Sequence, residues 1–265
     1  MKEYSLVIKD LSKSFKNNKV LNQLTYHFDR GNVYCIVGKN GCGKSTLFKI
    51  LLNLIHMDEG KIYCDGQISG LIEEATGYPY LPALDQLKYL LKDQKDLIEA
   101  IPDLAQKLEM TENLNKKFSQ LSLGMKEKLN LIYSFLTPCD ILLLDEPTVA
   151  IDSKSIEILL EEIEEKRKKG GTILIATHDA YFMNKLKRKI ILELKDGKLE
   201  EIDDQETYDI RIKCRNSQFN EFLLENHIEF SMSGEDYVLT ADDQFLLTLF
   251  NIRKEMEILN ISFIV

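Results

Sequence analysis

The stretch Gly38-Lys39-Asn40-Gly41-Cys42-Gly43-Lys44-Ser45-Thr46 follows directly on the apolar run Val33-Tyr34-Cys35-Ile36-Val37 and leads into helical spacing at Leu47, Ile50, Leu51 and Leu54. A strand, a glycine-bounded loop and a helix in that order leave few folds open. This is the Walker A arrangement, with Gly38, Gly43, Lys44 and Ser45 at the required spacing. Each residue type has a mechanical reason. Glycines let backbone N–H groups approach phosphate oxygens where a Cβ would clash. The helix N-terminus brings partial positive charge to the same point. Lys44 is expected to reach the β- and γ-phosphates and the Ser45 hydroxyl to ligate Mg2+. Asn40, Gly41, Cys42 and Thr46 complete the expected phosphate lining, and a thiol at Cys42 predicts that alkylating reagents block nucleotide binding.

The 265 residues leave room for one large domain and a small appendage. Hydrophobic residues make up 44% and charged residues 29%, so a globular core is expected. The apolar runs are too short to cross a bilayer, and no basic-then-apolar leader opens the chain. A formal charge of -9 weighs against nucleic acid as the main partner. Cys35, Cys42, Cys64, Cys139 and Cys214 are scattered and odd in number, which predicts free thiols, not a disulfide framework or a zinc site.

Later motifs narrow the choice among nucleotide-binding classes. Ile141-Leu142-Leu143-Leu144-Asp145-Glu146-Pro147 reads as a buried parallel strand delivering two acids at its C-terminal edge. Asp145 is placed to serve the Mg2+ shell and Glu146 to orient the attacking water. Between this run and the loop lies Leu121-Ser122-Leu123-Gly124-Met125, which opens a helical pattern. With these residues the chain resembles the ATP-binding-cassette (ABC) ATPases, whose signature is LSGGQ or a close variant. The "SLGM" form is similar to that of bacitracin-resistance and lantibiotic-immunity transporters.

The resemblance extends to other positions. Phe15 occupies the place of the aromatic that stacks on adenine. Asp152, in Val149-Ala150-Ile151-Asp152, matches the acid of the D-loop. His178 ends the strand-like Ile173-Leu174-Ile175-Ala176-Thr177 and looks like the switch histidine that contacts the γ-phosphate. The family usually carries a glutamine where this chain has Glu73, so a glutamate is expected to serve Mg2+ there, with Glu74 or Gln86 as alternative carriers. Ser122 and Gly124 are implied to meet nucleotide from a second cassette.

The expected fold class is an α/β P-loop cassette: a mostly parallel core, an antiparallel β lobe and a helical subdomain. The lobe is expected near 4–9, 24–28 and 61–65, the core strands near 33–37, 68–72, 141–145 and 172–176, and the helical subdomain at about 84–136. The ABC domain is expected over residues 1–203. Residues 204–265 read as strand (208–213), helix (218–225), hairpin turning at Ser233-Gly234-Glu235-Asp236, helix (242–256) and strand (258–265). That order predicts a small α+β accessory domain of ferredoxin-like form.

What the resemblance implies is an ATPase that uses ATP and Mg2+ and acts as a head-to-tail pair of cassettes. It would power separate membrane permease subunits, docked in the groove around residues 73–86 with Tyr78, Pro79, Tyr80 and Leu81, from the cytoplasmic side of the cell membrane. Peptides or hydrophobic toxins are the expected cargo. The alternative from another class is a soluble ABC ATPase acting on ribosomes or DNA, although the acidic balance and lack of sustained heptads weigh against it. A GTPase would need Asn-Lys-x-Asp; the nearest stretch, Asn115-Lys116-Lys117-Phe118, lacks the acid.

Overall fold

The computed structural model describes residues 4–16, 18–71, 77–92, 94–202, 207–214, 216, 218–225, 228, 230–242, 245, 248–249, 252 and 256–263. The chain divides into two compact units, Met1–Ile202 and Asp203–Val265.

In the first unit, β1 (Tyr4–Phe15), β2 (Asn18–Asp29) and β4 (Glu59–Cys64) form an antiparallel sheet in the order β2-β1-β4. The strands are longer than the alternation predicts, and Phe15 ends β1 beside the turn to β2. The core sheet has β3 (Val33–Val37), β5 (Ile68–Leu71), β6 (Ile141–Asp145), β7 (Thr172–Ala176), β8 (Lys189–Lys195) and β9 (Lys198–Ile202), ordered β5-β6-β7-β3-β8-β9. All neighbours are parallel except the β8–β9 hairpin.

Strict alternation explains why this sheet is covered twice. Val33 and Cys35, Leu142 and Leu144, and Ile173 and Ile175 enter one core, where they meet Leu159 and Ile163 of α6 (Ser153–Lys168) and Leu129 and Ile132 of α5 (Leu123–Leu136). Tyr34 and Ile36, Leu143 and Leu174 point the other way, toward Leu47, Phe48 and Ile50 of α1 (Lys44–Leu51) and toward Leu6, Ile8 and Phe28 of the antiparallel lobe. Successive strand residues face opposite sides, so five-residue runs with no polar break require helices on both.

The expected helical subdomain is present but broken. It contains α2 (Ala83–Leu90), α3 (Lys95–Glu99), α4 (Ile101–Lys107), two short 3-10 turns and α5. The interruption before the signature has a structural purpose. Pro79 and Leu81 carbonyls accept from Ser119 and Phe118 at 3.0 Å each, while Ala83 and Leu84 amides donate to Lys116 (2.9 Å) and Leu114 (2.8 Å). Residues 79–84 are thereby laced to the segment that delivers Ser122.

In the second unit, β10 (Thr207–Cys214), β11 (Phe230–Ser233), β12 (Asp236–Asp242) and β13 (Ile258–Phe263) form a four-stranded sheet ordered β11-β12-β10-β13, with every pair antiparallel. Ile210, Ile212 and Leu239 pack with Phe219 and Leu223 of α8 (Phe219–Glu225), the helix that follows α7 (Ala180–Lys185) in the chain, and with Leu249. The expected helix at 242–256 lies largely outside the described residues.

Candidate nucleotide site

Parallel strands end together, so the order β6-β7-β3 fixes the site before any side chain is considered. Ile36 and Asp145 each lie opposite Ala176 in register. The residues that follow these strands therefore emerge at one edge of the sheet: the 38–43 loop, Glu146, and Thr177-His178. That edge is where open α/β sheets bind ligands.

The loop is held by steric necessity at two glycines. Gly38 has φ +150°, and a Cβ there would come within 2.6 Å of the Leu194 carbonyl and 2.8 Å of Cys42 Sγ. Gly43, at φ +117°, would meet Val20 Cγ1 at 2.8 Å. Val20 belongs to the β1–β2 hairpin whose turn carries Phe15, so the antiparallel lobe sits directly on the loop. Phe15 is 48% exposed, a ring left partly uncovered, with Lys13 Nζ 5.5 Å from its centroid. The Lys44 ammonium donates to the Gly38 carbonyl at 2.7 Å and is only 8% exposed. A nearly buried cation with so little compensation favours an anion beside it. Ser45 and Thr46 stand in the first turn of α1, Ser45 exposed and Thr46 partly buried. Asn40, Gly41 and Cys42 form the crest of the loop.

Glu146 adopts φ +48°, a conformation disfavoured for a residue with a side chain, and its amide donates to the Ala176 carbonyl at 2.8 Å. Its Oε1 lies 2.8 Å from His178 Nδ1. With the carboxyl ionised, Nδ1 carries the proton of that bond, leaving Nε2 outward on an exposed ring. Oε2 is buried and has no hydrogen-bond partner among the described residues. A buried acceptor without a donor is a costly group, and a water bound there would satisfy it.

Ser45 and Asp145 offer oxygen donors of the hard kind that Mg2+ takes. Among the described residues no cluster of three or more His, Cys, Asp or Glu makes a protein-only cage.

The signature side is built differently. Ser122 caps α5, its Oγ accepting from the Met125 amide at 3.3 Å. Gly124 has a reason within its own chain: a Cβ there would lie 2.3 Å from the Ala150 carbonyl. Asp152 caps α6 through the Ser155 amide (2.9 Å) and Ser155 Oγ (3.0 Å), and its other oxygen pairs with Lys128 Nζ at 2.6 Å. That hydrogen-bonded ammonium, with the Ser155 bonds, holds the Asp152 carboxyl down at about 2.

Glu73 lies outside the described residues, as does Glu74. Gln86, one of the alternative carriers, is buried and accepts from the Tyr78 amide at 2.9 Å. A Cβ on Gly77 would collide with its amide, so Gln86 shapes the bend before Tyr78. Sequence reasoning did not single out Lys128 or the β8–β9 hairpin. The Asp196-Gly197 pair between alternating runs was the available signal for the latter. No local signal announces Lys128, whose partner lies across the fold.

The fold and this edge define a P-loop ATP-binding cassette. The ABC transporter family model matches residues 21–149. The uncharacterized ABC transporter ATP-binding protein YybJ of Bacillus subtilis is 34% identical over 72% of this chain and 93% of its own length. The lantibiotic transport ATP-binding protein SrtF of Streptococcus pyogenes is also 34% identical, over 65% of this chain and 80% of its own. A dimeric ATP-binding cassette solved in a post-hydrolysis state with ADP and Pi shares the fold at TM-score 0.64 and 24% identity, covering 75% of this chain and 98% of that one. The chain belongs to the ATP-binding subunits of ABC transporters.

Proposed function

We propose that this chain hydrolyses ATP to drive an exporter or immunity pump for peptides or hydrophobic toxins, with two cassettes closing on shared nucleotides. The observation that carries the hydrolytic reading is the pair at the strand edge: Glu146 braced by His178 through one oxygen, the other buried and without a donor. Lys44 and the loop amides hold the phosphates, and Phe15 covers the adenine. Ser45 and Asp145, with Glu73 as the family resemblance implies, would hold Mg2+, which would supply charge neutralisation at the phosphates. Glu146 accepts a proton from the attacking water, and His178 contacts the γ-phosphate through Nε2. Ser122 and the N-terminus of α5 complete the site of the opposite copy, with Gly124 and Asp152 holding that end in shape. The cargo reading rests on SrtF and on the "SLGM" signature. The solved dimer with ADP and Pi supports the pairing of cassettes.

Among the described residues no helix is long and apolar enough to cross a membrane. Separate permease subunits would therefore place the chain at the inner face of the cell membrane. A groove of about 370 Å3, lined by Leu52, Leu54, Leu90 and Tyr133 beside the edge strand β5, would take a short amphipathic permease helix. Tyr89, next to Leu90 in sequence, pairs edge-on with Tyr78 at 5.7 Å, and Tyr80 is 83% exposed. Residues 204–265 are read as a ferredoxin-like accessory domain, on the strand order of their sheet.

The deciding experiment is Glu146→Gln assayed for hydrolysis and for ATP-dependent dimerisation. Hydrolysis should fall by about 10^2- to 10^4-fold while ATP binding persists and the dimer accumulates. Turnover near the unmodified rate would refute the assignment.

A further inference from the structure

Phe15 stands where β1 runs out of neighbours. The β1–β4 ladder ends at Ser12 opposite Glu59, so the last residues of β1 pair only with β2, Ser14 with Lys19 and Phe15 with Asn18. Lys16 then turns the chain through the left-handed region at φ +55°. A strand end with one neighbour, running into a turn, has little to fix its direction.

Asp58, the residue just before β4, closes that open side. Its amide donates to the Ser12 carbonyl at 2.9 Å. One carboxylate oxygen accepts from the Ser14 amide at 2.7 Å, in the place a longer β4 would have filled. The other accepts from Lys13 Nζ, also at 2.7 Å. Both bonds engage an ionised acceptor and are of the stronger kind. The Lys13 ammonium, with the Ser14 amide, holds the Asp58 carboxyl below its ordinary value. Lys13 is only 15% exposed, and its Nζ lies over the Phe15 ring at 5.5 Å from the centroid, within cation–π range. The ammonium thus takes one face of the ring and leaves the other to a base.

We propose that Asp58 is a positioning residue for nucleotide binding: by clamping the Ser14 amide and the Lys13 ammonium, it fixes the direction in which Phe15 leaves β1, and so where the base stacks. This rests on the reading that Phe15 covers adenine. Asp58 itself touches no nucleotide. The clamp serves the base alone and leaves the phosphates to residues 38–46.

The test uses the full chain and calorimetric titration with two ligands: ADP, which carries the base, and inorganic pyrophosphate, which does not. Asp58→Ala should weaken ADP about fivefold, part of what a base stacked on an aromatic ring contributes, and leave pyrophosphate within about twofold. In ATP hydrolysis the same variant should raise KM about fivefold with kcat within about twofold. The chain has no tryptophan, so Phe15→Trp places a single fluorophore at the stack. ADP should quench it, and adding Asp58→Ala should lessen the quench at saturating ADP. If Asp58→Ala does not fold, Lys13→Met serves instead and should show the same split at about threefold. Normal ADP affinity, an unchanged quench, or equal losses of ADP and pyrophosphate would overturn the proposal in either variant. Phe15→Ala separates the two readings, since it should weaken ADP about tenfold or more. If it does so while Asp58→Ala is normal, only the Asp58 role falls. If both are normal, the adenine reading falls with it.

Discussion

The two halves of the proposed nucleotide site are made by opposite strategies. The phosphate side is encoded in consecutive residues: from Gly38 to Thr46 the chain supplies backbone, cation and hydroxyl. The signature side is assembled from residues far apart, with Gly124 shaped to Ala150 and Lys128 reaching Asp152. The difference teaches where each half is vulnerable. A local motif fails when one of its own residues changes; an assembled one also fails when a distant partner does.

The largest effect that would break this contrast is on the phosphate side. Lys44→Ala should weaken ATP binding by a single cassette about a hundredfold, the scale of a hydrogen bond to a charged group. Nucleotide titration reads it, and an affinity within threefold of normal would show that the loop amides suffice without the ammonium. Substituting glycines sharpens the comparison further. Gly124→Ala forces a Cβ against a backbone carbonyl and should cost about 1–3 kcal/mol. Gly41→Ala meets nothing within 4 Å and carries only the cost of its positive φ, about 1 kcal/mol. Denaturant unfolding compares them directly, and equal costs would deny the close packing of signature and D-loop.

The smallest effect is on acid stability. A carboxyl whose pKa is lowered by folding stabilises the fold above its ordinary value, and that contribution fades as pH falls toward the folded value. For Asp152 the window runs from 3.8 down to about 2, and Glu164, held by Arg167, likewise reaches about 2. Lys128→Met should return Asp152 toward 3.8 while leaving Glu164 unmoved, as carboxyl NMR titration would show. Asp152 titrating at its ordinary value in the unmodified chain would remove the ion pair from the account.

The same contrast explains what was legible in the sequence. Gly38 to Thr46, Asp145-Glu146 and Thr177-His178 could be read because motif and strand end coincide, and parallel pairing then brings them together. Three of the four expected core strands, β3, β6 and β7, could be read from their apolar runs, while β5 carries Ser69 and Gly70 and gives a weaker signal. The hairpin of β8 and β9 was missed, although Asp196-Gly197 marks its turn. The helical stretch read as continuous up to 136 is interrupted at 108–122, where the backbone bonds to residues 79–84 instead of continuing a helix. Gln86, weighed as an alternative carrier of the missing glutamine's role, is buried and accepts from the Tyr78 amide, a contact no sequence pattern announces. Lys128 is an ordinary charge on a helix until Asp152 is seen beside it.

The most direct test of the account is a structure of Glu146→Gln with ATP and Mg2+. The account predicts a dimer in which Ser122 Oγ of each copy lies about 3 Å from a γ-phosphate oxygen of the nucleotide gripped by the other copy's Lys44. Nucleotide bound on Lys44 with Ser122 of every neighbouring copy turned to solvent would contradict it.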